Sequence, residues 1–192
     1  ESGDPPAVAE PFGPWALGAG SQPEQSEIMT NLLLAYHSGE GQTAKVAERI
    51  ASTLRADDAM VEVAVAEDAP SPDGFDGIVA GDSIHAGRHS RELTSYLMRH
   101  VDELGDMPWA LFQVSLTSAS DDEEHTATAH ELVQGLIDTV GVEPDIVGLF
   151  AGALRYTQYG WLKRRIMRKI VAGEGGDVDT SHDHEYTDWD AV

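Results

Sequence analysis

Residues 36–45 combine the residue types that bind phosphate groups, in the sequence YHSGEGQTAK. The segment follows a short apolar run and contains two glycines and the hydroxyls of Ser38 and Thr43, and helical periodicity begins at Gln42. Glycines let backbone N–H groups turn toward a ligand, and a helix N-terminus offers unpaired donors and the positive end of its dipole. This pattern favours a phosphate site, and a strand-to-helix turn capped by Ser and Thr is the alternative. It is not a P-loop, since the G-x-x-x-x-G-K-[ST] spacing is missing.

Three further segments carry glycines, hydroxyls, histidines or aromatic residues. They are GDSIHAGRHS (81–90), VSLTSAS (114–120) and AGALRYTQYGW (151–161). Together they could hold a flat ring system between backbone groups and aromatic side chains. A lone histidine is more often structural or solvated than catalytic. The histidines His85 and His89 are therefore only weak catalytic candidates, and Arg155 is a third. We predict no metal site.

The elements that must position these segments alternate along the chain. The predicted strands are 30–36, 60–66, 75–84, 109–116 and 145–154. Apolar residues at helical spacing predict helices at 42–54, 91–101, 132–140 and 159–171. The pattern predicts an α/β fold, a flavodoxin-like doubly wound five-stranded parallel sheet with helices on both faces. Ligands of such sheets bind beyond the carboxyl ends of the strands, where all four segments fall.

Length and composition indicate one domain with a substantial core. The chain has 192 residues and no cysteine, which excludes disulfides, thiolate catalysis and Cys-ligated metals. No apolar run approaches the ~20 residues of a membrane span. Residues 1–28 are rich in Pro, Gly, Glu and Ser and predict a disordered leader ahead of a domain over residues 29–192.

The charge balance is strongly acidic, with 34 Asp and Glu against 12 Lys and Arg and a net charge of −22. Phosphate backbones need a cationic surface, so nucleic acid is an unfavourable partner. The acids are spread through the whole chain, which is typical of proteins of a high-salt cytoplasm, where screening makes such a surface tolerable. An acidic protein of an ordinary cytoplasm is the alternative.

The exception is GWLKRRIMRKI (160–170), which holds five of the twelve basic residues. A helix over residues 159–171 would have a mostly apolar half and a basic half. The basic half is either a solvated surface or a contact surface for anionic lipid headgroups or ligand carboxylates. The contact residues would be Trp161, Lys163, Arg164, Arg165, Arg168 and Lys169.

From about Met29 onward the chain resembles the flavodoxin-type, quinone-dependent protoporphyrinogen oxidases. The resemblance rests on SGEGQT (38–43), SIHAGRHS (83–90), AGALRY (151–156) with the basic segment after it, GG-x-x-DT (175–180) and YTDW (186–189). It implies an FMN enzyme of haem biosynthesis that oxidises protoporphyrinogen IX and passes the electrons to menaquinone. It also implies a cytoplasmic protein, peripheral on the anionic inner face of the cell membrane. The family continues after YTDW into a closing helix, which this sequence does not include.

The resemblance also implies a set of cofactor-binding residues. The FMN phosphate would be held by Ser38, Gly39, Glu40, Gly41, Gln42 and Thr43. The isoalloxazine ring would be bordered by Ser83, Ile84, His85, Ala86 and Gly87 and, on its other side, by Ser115, Leu116 and Thr117. The pocket would be closed by Ala151, Gly152, Ala153, Leu154 and Arg155. Glu40 departs from this role, because a carboxylate facing a phosphate must turn its side chain away.

Two other classes of function stay open at this point. An FMN-binding electron carrier without a substrate of its own would share the fold, but has no evident need for the AGALRY and basic segments. A Ser hydrolase is suggested by GDS (81–83) and DTSH (179–182), although its Ser would be expected after the first strand. A phosphorelay receiver would need paired acids after the first strand, and these are missing.

Overall fold

The computed structural model describes residues 29–116, 123–154 and 183–192. In chain order the elements are β1 (Asn31–Tyr36), α1 (Gln42–Ala56), β2 (Met60–Val65), β3 (Gly77–Ser83), α2 (Arg91–Arg99), α3 (Val101–Asp106), β4 (Trp109–Ser115), α4 (Glu123–Val140), β5 (Ile146–Ala151), β6 (Ala153–Leu154) and β7 (His184–Glu185). The predicted leader, residues 1–28, and the predicted basic helix, residues 159–171, lie outside the described residues.

The main sheet has the order β2-β1-β3-β4-β5, and every neighbouring pair is parallel. The chain therefore leaves β1 toward one edge of the sheet and then returns past it to form β3. This reversal makes the switch point between β1 and β3, where ligands of doubly wound sheets bind. The predicted fold class and all five predicted strands of this sheet are confirmed.

Side chains of the central strands alternate between two buried layers. Leu33 on β1 and Leu111 on β4 lie in the layer that α2, α3 and α4 cover. Leu34 and Phe112, one residue further along, lie in the layer that α1 covers. Burial on both faces explains why these strands are continuous apolar runs and do not alternate apolar with polar residues.

Two of the predicted helices have clearly different boundaries in the structure. The helix expected over 91–101 ends at Arg99, and α3 begins at Val101, because His100 leaves helical geometry with φ −119° and ψ 27°. Helix α4 begins at Glu123, nine residues before the start of the helix expected over 132–140. Acidic residues are favourable in a first turn, where they meet the positive end of the helix dipole.

The fifth strand leaves the main sheet earlier than expected. Strand β5 ends at Ala151, and the two-residue β6 pairs antiparallel with β7 instead of extending the sheet. Gly152 makes this change of direction, since its N–H donates to Ser115 O at 2.9 Å and its carbonyl accepts from Tyr186 N at 3.1 Å. Within the described parts of the chain, no helix is long and apolar enough to cross a bilayer.

Candidate functional site

The turn between β1 and α1 directs its backbone N–H groups toward one hydroxyl. Ser38 Oγ accepts from Gly41 N at 3.0 Å and from Ala44 N at 3.3 Å. Gly41 precedes the helix with φ 87°, a left-handed conformation that favours glycine. Gln42 and Thr43 follow and are buried. The sequence therefore folds this turn into the open N-terminus of a long helix, the geometry that receives a phosphate through backbone donors.

The turn after β1 touches the loop after β3. Gly39 N donates to Ser83 Oγ at 3.3 Å, and His37 N donates to Gly81 O at 2.8 Å. The ring of His85 lies so close to Gly39 that a Cβ added there would overlap its Nε2. Because Gly39 has no side chain, the His85 ring can lie against the turn, and a side chain there would require that ring to move.

The ends of β3, β4 and β5 are joined in the same way. Ile84 N donates to Val114 O at 3.0 Å, and Gly152 N donates to Ser115 O at 2.9 Å. Ser115 is buried, and Leu116 after it is partly exposed. The predicted ring-binding segments therefore form one continuous edge from β1 to β5.

Residues 183–192, here called the C-terminal segment, return to the start of α1. Gln42 Nε2 donates to Thr187 Oγ1 at 2.8 Å, and Thr187 Oγ1 donates to Ala151 O at 2.7 Å. Lys45 Nζ lies 2.7 Å from a carboxylate oxygen of Glu185. The hydrogen bond from Lys45 is the main reason that the pKa of Glu185 lies below its usual range. The segment thus ties the first turn of α1 to the end of β5.

Two sequence-predicted catalytic candidates occupy different environments. His85 is exposed beside Gly39. The side chain of His89 is 7% exposed, with Nδ1 3.0 Å from Asp82 Oδ2 and no hydrogen-bond partner at Nε2. His89 therefore makes no Ser–His pair with Ser83, whose hydroxyl accepts from Gly39 N. This gives the Ser hydrolase no support at GDS, and its second motif, DTSH, lies outside the described residues.

A cleft adjoins the turn after β1 on the side of β2. This cleft of about 370 Å³ is lined by Tyr36, His37, Ser38, Gly41, Ala44, Val65, Glu67 and Asp68. Glu67 and Asp68, which follow β2, make one wall of this cleft acidic, whereas Ser38, Gly41 and Ala44 belong to the turn that carries the backbone donors.

Most of the predicted cofactor residues reach this edge. Those placed there are Ser38 to Thr43, Ser83 to Gly87, Ser115, Leu116 and Ala151 to Ala153, with Leu154 on β6. Thr117, Arg155 and the six predicted contact residues of the basic segment lie outside the described residues. Asp82, Glu185 and Thr187 were not predicted as site residues, although the motif GDS contains Asp82 and the motif YTDW contains Thr187.

The residues at this edge fit a cofactor with a phosphate and a flat ring. Backbone donors gather at the start of α1, and a Cβ at Gly41 or Gly87 would meet no atom within 4 Å, so the two turns leave open space. In the described ranges no cluster of His, Asp and Glu could hold a metal ion. Fold and site together define a flavodoxin-type cofactor-binding protein.

Comparison with known proteins agrees with that class. Residues 33–181 match the family described as the flavodoxin domain. A protein of Escherichia coli K12 named protoporphyrinogen IX dehydrogenase (quinone) is 30% identical over 162 residues, which cover 83% of this chain and 89% of that protein. A protein of the same name from Leishmania major is 32% identical over 167 residues, covering 83% of this chain and 70% of that protein.

Solved flavodoxins give weaker likenesses. One from the domain Archaea has a TM-score of 0.47 and 17% identity over 62% of this chain and 83% of its own. Flavodoxin 1 from Bacillus cereus, in its oxidised form, has a TM-score of 0.46 and 18% identity over 64% of this chain and 84% of its own.

The sequence matches decide the family. The chain belongs to the flavodoxin-domain family and, within it, to the quinone-linked protoporphyrinogen IX dehydrogenases. Membership confirms the expected class of flavin-dependent oxidoreductase, with FMN as its cofactor.

Proposed function

We propose that the protein oxidises protoporphyrinogen IX to protoporphyrin IX in haem biosynthesis and passes the electrons to a quinone, menaquinone. The observation that carries this proposal is the open N-terminus of α1 at the switch point, in a chain 30–32% identical to dehydrogenases of that name. Bound FMN supplies the two-electron redox chemistry, and the protein supplies binding, orientation and electrostatics. No protein nucleophile is needed.

Each loop at the switch point has a separate task in this proposal. Backbone N–H groups of residues 38–43 hold the phosphate. Gly41 N and Ala44 N, which donate to Ser38 Oγ in the structure, donate to the phosphate instead when it binds. Residues 83–87 and 115–117 border the ring on its two sides. Residues 151–155 close the pocket, and the C-terminal segment holds the end of β5 against α1 through Thr187.

The test is anaerobic oxidation of protoporphyrinogen IX by the purified protein, with and without a menaquinone analogue. We expect a yellow protein that releases FMN on denaturation and turns over only when the quinone is present. An FMN-loaded protein that oxidises no porphyrinogen would identify the electron carrier instead. A protein that takes up no FMN would contradict both functions.

We further propose that the protein works at the anionic inner face of the cell membrane in a high-salt cytoplasm. Support comes from the basic residues of the 160–170 segment, since a quinone dissolves in the bilayer and each base near an anionic surface adds ~1 kcal/mol at ordinary salt. Changing Arg164, Arg165, Arg168 and Lys169 to Gln should reduce both sedimentation with phosphatidylglycerol vesicles and quinone-linked turnover. Unchanged values for both would assign these residues to a solvated surface.

A further inference from the structure

One buried carboxylate holds both ends of the loop over residues 83–90. Asp82, at the end of β3, is 0% exposed. Its Oδ1 accepts from Ser83 N at 2.9 Å, and its Oδ2 accepts from Ser90 N at 2.8 Å. The same Oδ2 lies 3.0 Å from His89 Nδ1. A carboxylate only accepts hydrogen bonds, so Nδ1 carries the proton of this contact.

Such a carboxylate is costly to bury unless donors surround it. Asp82 meets two backbone N–H groups and one imidazole, and His89 is itself only 7% exposed. Hydrogen bonds to a charged group are about twice as strong as those between neutral groups. The hydroxyl of Ser90 also caps α2 by accepting from Leu93 N at 3.2 Å. Asp82 therefore fixes the end of β3, the return of the loop and the start of α2 together.

The tip of the loop is strained, whereas its base is held. Ala86 has φ 51° and Gly87 has φ 69°, so two successive residues adopt the left-handed conformation. His85 N donates to Arg88 O at 3.2 Å across this turn. A non-glycine residue in this region is strained and persists only where the surroundings determine its conformation. In this loop the bond from His85 N to Arg88 O closes the tip, and the contacts of Asp82 hold its two ends.

We propose that Asp82 is a positioning residue for the cofactor: its three hydrogen bonds hold the base of the loop, so that residues 83–87 are pre-arranged against the flavin ring. This inference rests on the proposed function, because the loop has that role only in an FMN protein. The loop then needs little reordering when FMN binds, and pre-organisation of this kind raises affinity.

The decisive variant is Asp82→Asn, which keeps the shape of the side chain. The asparagine amide has one acceptor oxygen and one NH₂ group. In one orientation the NH₂ group faces Ser83 N, and in the other it faces Ser90 N and His89 Nδ1, so a donor meets a donor in either case. We expect the Kd for FMN to rise about tenfold or more, which corresponds to the loss of one such bond. We also expect altered visible circular dichroism of bound FMN, and faster amide hydrogen exchange in residues 84–88 of the FMN-free full chain.

A second pair of variants keeps the proposal testable if Asp82→Asn folds poorly. The side-chain NH₂ of His89→Asn can donate where Nδ1 does, whereas His89→Leu cannot. The asparagine variant should retain FMN affinity and exchange rates near those of the wild type. The leucine variant should bind FMN more weakly and exchange faster.

The matched control is Asp145→Asn, at the opposite end of the sheet. Asp145 Oδ2 also accepts from a backbone N–H, that of Trp109, at 2.9 Å. The amide oxygen of Asn can accept the same bond, so this variant should leave stability and FMN binding close to those of the wild type. Wild-type FMN affinity and exchange in Asp82→Asn would overturn the positioning role while the proposed function stands. A wild-type protein that binds no FMN would refute both.

Discussion

At the scale of single residues, Tyr96 makes stability depend on alkaline pH. Its side chain is fully buried on α2, and its hydroxyl donates to Pro70 O at 2.9 Å. Burial raises the pKa of Tyr96 to about 12, against about 10 in an unfolded chain. The folded state thus favours the neutral phenol. Its contribution is fully present below pH ~10 and is lost as the pH rises through ~12.

Tyr96→Phe tests this dependence. At pH ~8 the variant should be less stable by about 1 kcal/mol, because the hydrogen bond to Pro70 is lost. Between pH ~10 and ~12 the phenol ionises in the unfolded wild type but stays neutral in the folded wild type, which lowers the stability of the wild type alone. The difference in stability between the two proteins should therefore shrink. Urea unfolding of both proteins at each pH measures this difference in the free energy of unfolding. Lysines titrate in the same range, but they are the same in both proteins and their effect cancels. A constant difference across this range would contradict the prediction.

Other single residues show where sequence reasoning stops. Gln113 lies within an apolar strand and is 0% exposed, with no hydrogen-bond partner at either amide atom. Asp82 is its register neighbour on β3. Periodicity gives the face on which a side chain lies but not the donors that surround it. The GDS motif therefore suggested Ser83 as the functional residue. The three contacts that hold the loop over residues 83–90 are made instead by Asp82, the buried acid before it.

At the scale of elements, the pairing of β3 with β4 depends on one glycine. Gly81 lies opposite Phe112, and a Cβ added to Gly81 would overlap the Phe112 ring. Both positions lie in the interior, where Phe112 is 2% exposed. Close-packed interiors respond to added atoms with side-chain and backbone shifts.

Gly81→Ala should therefore lower the free energy of unfolding by roughly 1–3 kcal/mol. Adding Phe112→Leu should recover part of that loss, so that the double variant is more stable than the sum of the two single changes predicts. Denaturant titration of the wild type, the two single variants and the double variant measures this coupling.

Gly135→Ala is the control for this cycle. Gly135 is an exposed residue of α4, and a Cβ there would meet no atom within 4 Å. This change should stabilise the protein by about 0.5–1 kcal/mol through helix propensity alone. If Gly81→Ala and Gly135→Ala had effects of the same sign, the overlap with Phe112 would not govern strand pairing.

The elements that sequence predicted are those with enough residues to show a period. Apolar runs gave β1, β3, β4 and β5, because parallel strands buried on both faces are continuous apolar stretches, and alternation gave the edge strand β2. Strands β6 and β7 have two residues each and carry no period, so the antiparallel pair was missed. The contacts of Glu185 and Thr187 with α1 were missed for the same reason, since they join residues about 140 positions apart.

At the scale of the whole molecule, the net charge of −22 predicts that salt stabilises the fold. Like charges repel in the compact state, and salt shortens the Debye length from about 10 Å at 0.1 M to about 3 Å at 1 M. Raising KCl from about 0.1 M to 1 M should raise the Tm by several degrees. Sucrose of equal osmolality serves as the control for excluded-solute effects. An unchanged or lower Tm in KCl would contradict the high-salt proposal.

The C-terminal segment also bears on the order in which the protein is made. Gln42 and Thr187 are 145 residues apart in sequence, yet their side chains are hydrogen-bonded. Synthesis proceeds at roughly 5–20 residues per second, so the start of α1 leaves the ribosome several seconds before its partner exists. The strands and α1 can assemble on the nascent chain, but the link from α1 to the end of β5 cannot. Capture of cofactor in a complete pocket is therefore a late event in biosynthesis.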